Sequence, residues 1–175
     1  MTSFSSVSRL LAAPTAMLGL ALFSAGLTGC SGGDPFCEDL NEIADEAKLD
    51  FVHLGAEKLP PYSAGQSVSQ AEGTITLPGM RRCDVTNNDG LMSYDCEVSF
   101  ETREEASAKM AELSDKIVDC FDEVEVDLQD GAVDGVKDSR ITIPHTKAGV
   151  PVAMDLQMFE HATYIVSLSI YRNGK

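Results

Sequence analysis

Asp89-Gly90 constrains the fold more than any other pair of residues, because it suits a two-residue hairpin turn whose two positions both need positive φ. Pairing outward from that turn sets Asn88 opposite Leu91, Val85 opposite Tyr94 and Cys83 opposite Cys96. Counted alternately along the ladder, Cys83 and Cys96 fall on a non-hydrogen-bonded pair, where Cα atoms approach to about 4.5 Å. A disulfide accepts that separation. The faces agree with the same register. Cys83, Val85, Tyr94, Cys96, Val98 and Phe100 share one side, and Asp84, Thr86, Ser93, Asp95, Glu97 and Ser99 share the other. Turn, alternation and cysteines together predict a single hairpin over residues 81–100.

The N-terminal stretch carries a different constraint. Arg9 and the free amino group supply a short positive region, and Leu10 to Leu27 is uncharged, rich in Leu and Ala, and ends in small residues. Positive, apolar, then small is the layout of a secretory signal peptide. The stretch is close to the ~18 residues at which a membrane span becomes possible. Pro14, Gly19 and Gly26 weaken that alternative, and no basic stop-transfer cluster follows Leu27.

The last four residues, Leu27-Thr28-Gly29-Cys30, resemble the lipobox of bacterial lipoproteins. The resemblance covers the signal region alone. It implies diacylglycerol on the Cys30 thiol, cleavage after Gly29 and acylation of the new amino group. Residues 1–29 are then a signal peptide, 30–34 a lipidated tether, and the membrane a partner held through the lipid. Each buried methylene contributes about 0.8 kcal/mol, so two or more chains hold stably where one does not. Ser31 is similar to residues that permit transport outward. The implied location is the periplasmic face of the outer membrane where the host has one, and otherwise the outer face of the cytoplasmic membrane.

With Cys30 acylated, the cysteines that remain are Cys37, Cys83, Cys96 and Cys120. In an exported chain an even number reads as disulfides, with three connectivities open for four residues. No C-x-x-C spacing supports zinc or redox chemistry. Asp34-Pro35 predicts a helix start, with Asp as N-cap and Pro at the first helical position. Cys37, Leu40, Ala44, Ala47 and Phe51 then mark one helical face. Thr102 and Glu105 form a capping box for a second helix, whose face is Ala106, Met110, Leu113, Ile117 and Cys120. Antiparallel packing brings the start of the first helix to the end of the second. Elimination and this geometry predict Cys37–Cys120 beside Cys83–Cys96, the longer loop contributing roughly 4 kcal/mol in the chain-entropy picture.

Residues 55–73, with Pro60-Pro61 and a run of Ser, Gln and Ala, read as a flexible loop. Beyond the second helix the pattern is mostly strand. Val124, Val126 and Leu128 alternate with acids, Ile141 and Ile143 run into Pro144, and Val152 to Met158 and Tyr164 to Ile170 alternate in turn. Short connections at 146–150 and 160–162 imply antiparallel neighbours. The order predicts a single α+β domain over 35–175. It is an antiparallel sheet of about five to six strands, with two helices packed on one face and disulfide bracing.

Removing residues 1–29 leaves 12 Lys and Arg against 28 Asp and Glu, a formal charge of −16. Such a surface repels nucleic acid and anionic lipid; solubility alone accounts for it, and it also fits a protein partner with a basic surface or a cation. Catalytic material is thin. His53, His145 and His161 lack metal-ligand spacing, and His145, His161 and Glu160 would meet only if a strand brought them round. The loop at Gly90 fails as an EF-hand, since Val85 and Cys96 would occupy its first and twelfth positions. Asp127, Asp130, Asp134 and Asp138 surround Gly131 and Gly135, and a solvated acidic turn accounts for them better than a cation site does. No catalytic residue, metal ligand or cofactor is assigned. The expected function is a non-catalytic binding domain on an envelope lipoprotein. A protective factor against a basic protein such as a lysozyme-type hydrolase is the alternative, and an envelope hydrolase, which needs a deep pocket, is the third.

Overall fold

The computed structural model describes residues 33–60 and 67–173; Cys30, the signal region and residues 61–66 lie outside the described residues. α1 (Pro35–Glu46) starts where Asp34 accepts a hydrogen bond from the Phe36 N–H at 3.0 Å. The expected apolar face continues beyond it, but not as α-helix. A 3-10 turn (Ala47–Leu49) follows, and Asp50 and Phe51 then take φ of 51° and 59°. This left-handed corner turns the Phe51 side chain into the core, where it is 1% exposed, with its ring centroid 5.7 Å from that of Tyr94. Burying an aromatic side chain here offsets backbone strain that a solvent-facing residue would not repay.

Among the described residues seven strands form one antiparallel sheet: β1 (Val68–Glu72), β2 (Arg82–Asn88), β3 (Leu91–Phe100), β4 (Glu125–Asp130), β5 (Lys137–Ile143), β6 (Val152–Glu160) and β7 (Tyr164–Arg172). Their order is β1-β2-β3-β7-β6-β5-β4. The expected five to six strands are therefore one too few, and the missing one is β1. It lies inside the stretch read as a flexible loop, which also holds a 3-10 turn at Ala56–Lys58. Ser, Gln, Ala and Glu are weak strand formers, so β1 exists through its pairing with β2, Ala71 opposite Val85 and Glu72 opposite Asp84. After it the chain passes tightly over Tyr94. A Cβ on Gly73 would run into the phenol, whose hydroxyl donates to the Ile75 carbonyl at 2.6 Å and accepts from the Ile75 N–H at 2.9 Å.

β2 and β3 form the hairpin, with Asp89 and Gly90 at φ 50° and 91° and Cys83 opposite Cys96. The Cys83–Cys96 bridge spans a Cα separation of 4.0 Å. α2 (Arg103–Asp119) starts at Thr102, whose hydroxyl accepts from the Glu105 N–H and donates to the Glu105 carboxylate. Its apolar face, Ala106, Met110, Leu113 and Ile117, is buried. α2 contacts β3, β6 and β7, and α1 contacts α2 and β7. The Cys37–Cys120 bridge, with a Cα separation of 5.1 Å, joins the start of α1 to the end of α2. Lys116 lies over the Phe36 ring beside it, 5.6 Å from the centroid.

One row through the sheet shows where the core lies. Val85, Tyr94, Ile170, Met154 and Ile141 are successive cross-strand neighbours, and all are fully buried. The row ends on β4 at Val126, opposite Ile141. Val126 is nevertheless 47% exposed and Leu128 62%. α2 contacts β3, β6 and β7, and the apolar side of β4 stays open to solvent. Among the described residues no helix is long and apolar enough to cross a membrane.

Candidate functional site

Period-2 alternation gives every strand a second side, on the face opposite this core. The pairing registers turn residues on that face into a line. Glu72, Asp84, Asp95, Ser169, Asp155, Arg140 and Asp127 are successive cross-strand neighbours from β1 to β4. One row thus crosses all seven strands with five carboxylates, one serine and one arginine. Like charges directly opposite each other destabilise a sheet, so Glu72, Asp84 and Asp95 in succession work against stability.

The basic groups on this face are already engaged. Arg140 makes a bidentate pair with Asp155, Nε to Oδ1 at 2.8 Å and Nη2 to Oδ2 at 2.9 Å. The Tyr171 hydroxyl donates to Asp155 Oδ2 at 2.7 Å. Burial, followed by the hydrogen bond to Asp155 and its charge, pushes the Tyr171 phenol up to about 12. The hydrogen bond to Asp155, then its charge, raises Arg140 above its ordinary value. Arg82 holds Asp84 at 2.5 Å. Glu72, Asp95, Glu97, Glu125 and Asp127 form no salt bridge among the described residues. They leave the face with a net negative field, strongest where the sheet's own arginines do not reach.

The other residues singled out from the sequence do not converge. His145 lies in the β5–β6 turn and His161 in the β6–β7 turn, at opposite ends of β6, so they do not meet. Asp127 is in the acidic row, Asp130 pairs with Lys137, and Asp134 offers its carbonyl to Arg103. Asp138, two residues from Arg140 on β5, is buried and accepts from the Met158 N–H at 3.3 Å. No group of three or more His, Cys, Asp or Glu could hold a metal ion among the described residues. Clefts of about 210, 330 and 300 Å³ open on the surface of the described residues. The first is at the β1–β2 end of the acidic face, around Gln70, Glu72, Arg82 and Asp84. The last collects His145, Lys147, Asp122 and Glu123 near the Cys37–Cys120 bridge, with the Thr146 hydroxyl buried and unbonded beside them.

The acidic row is absent from the sequence reading. Alternation gave each strand's polar side, but the row depends on which strands are neighbours. β3 pairs with β7 across the α2 and β4–β6 segments, and no local spacing carries that information. Neither family models, nor curated proteins, nor solved structures yield a match to this chain.

Proposed function

We propose that this chain is a lipid-anchored envelope lipoprotein, acylated at Cys30, whose domain acts by binding a protein with a basic surface. The observation that carries the binding reading is the seven-strand row on the open face, with five carboxylates and a single arginine. A face built this way costs stability in the free protein, and a cationic partner relieves that cost on docking. It also steers such a partner from a distance and turns away anionic ones. A protective factor against a lysozyme-type hydrolase is one form of this function.

The test is titration of the protein with a basic lysozyme-type hydrolase over a series of salt concentrations. The expected result is a complex that weakens steeply with ionic strength. Asp95→Asn combined with Glu97→Gln should weaken it further, by about tenfold, equivalent to 1.4 kcal/mol. Absence of a complex at low ionic strength, or affinity indifferent to both salt and these substitutions, would refute the reading.

A further inference from the structure

Apart from the acidic face, one edge of the sheet has its own unfilled chemistry. All six residues of β4 are exposed. β4 is the last strand in the order, paired with β5 on one side. Its residues alternate: Glu125 and Asp127 continue the acidic face, while Val126 and Leu128 lie on the core side. On that side a groove of about 330 Å³ lies between α2 and β5. Ser107, Ala111 and Ser114 of α2 face Val136 and Ser139 across it. Ser139 is the direct neighbour of Leu128. The short side chains on α2 leave a shelf beside the open apolar face of the edge strand.

We infer that β4 is a docking edge for an extended segment of a partner protein in which basic and apolar residues alternate. Such a segment adds an eighth strand to the sheet. Main-chain hydrogen bonds supply affinity, and side chains on alternate faces supply selectivity. Its apolar residues cover Val126 and Leu128 and reach toward the groove, while its basic residues come up against Glu125 and Asp127. A second copy of β4 does not fit. Antiparallel self-pairing centred on Val126 opposes Glu125 to Asp127. Centring on Asp127 opposes two aspartates, and centring on Leu128 opposes Val126 to Asp130. Each register sets acid against acid or acid against an aliphatic side chain, which destabilises the pair. Charges of this kind are how sheet edges avoid self-association, and they leave the edge selective for a cation-bearing strand. The basic character of this partner rests on the same reading as the proposed function; the strand addition does not.

The experiment uses the full chain in detergent solution and two labelled peptides of identical composition. One alternates lysine and valine, and the other groups the lysines and valines into two blocks. Anisotropy titration should give about tenfold tighter binding of the alternating peptide, with slowed hydrogen exchange in Glu125–Asp130. Leu128→Ser, at an exposed position, should reduce that preference and leave the block peptide's binding unchanged. Equal binding of both peptides, or protection confined to other strands, overturns the strand addition. A salt-dependent complex with the basic hydrolase, measured on the same preparation, reads the acidic face separately.

Discussion

Asp138 shows what a single carboxyl costs when the sheet closes over it. It is 9% exposed, and among the described residues its one hydrogen bond comes from the Met158 N–H. Burial raises its pKa, against the pull of that hydrogen bond, and the charge of Asp155 adds to the rise. The folded state therefore holds a proton more tightly than the unfolded chain does. Stability falls as pH climbs from the ordinary value of 3.8 through the raised native value. Asp138→Asn keeps an oxygen to accept from Met158 and cannot ionise. Its urea midpoint should exceed that of the wild type at neutral pH, and the gain should vanish below pH 3.8. A midpoint lower than wild type at neutral pH would mean that the carboxylate is held by more than this one bond. None of this follows from the acidic turn read around Gly131 and Gly135. The sequence shows the residue type, whereas its burial depends on where β5 leaves β6.

At the level of elements, the two bridges should differ in accessibility and in the energy they contribute. Cys83 and Cys96 are 1% and 0% exposed, whereas Cys37 and Cys120 are half-buried. Thiol exchange needs access to a sulfur, so mild reductant followed by alkylation should label Cys37 and Cys120 first. Their separation of 83 residues against 13 predicts losses of about 4.5 and about 3 kcal/mol respectively in the chain-entropy picture. Denaturation of the singly reduced form measures the larger figure, and label appearing first on Cys83 would overturn the order. The hairpin was legible because turn, alternation and both cysteines fall within 20 residues of chain. The helices were legible through their caps and apolar faces, except that α1 stops at Glu46 where the pattern ran on to Phe51. β1 was hidden because its residues have little strand preference of their own and owe their conformation to β2. β4 was visible as a strand, but its openness was not, since that depends on where α2 lies over the sheet.

For the whole molecule, lipid attachment is the property that would set its orientation and its reach. Tested in a bacterial host, the wild-type chain should partition into detergent, and Cys30→Ser should move it to the aqueous phase with altered gel mobility. A variant that still partitioned with unchanged mobility would remove the anchor from the account. The acidic row was out of reach of the sequence because it is a property of all seven strands in their final order. The Cys37–Cys120 bridge has a mechanical consequence. Cys37 is seven residues after Cys30, and its partner stands at the end of α2. Were the N-terminus anchored as proposed, tension between it and the last strand would enter at Cys37, cross the sulfurs to Cys120 and bypass residues 38–119. The hairpin and most of both helices would then be relieved of axial load. A partner pulling on this domain would stretch β4 to β7 first, while the covalently closed half holds its shape.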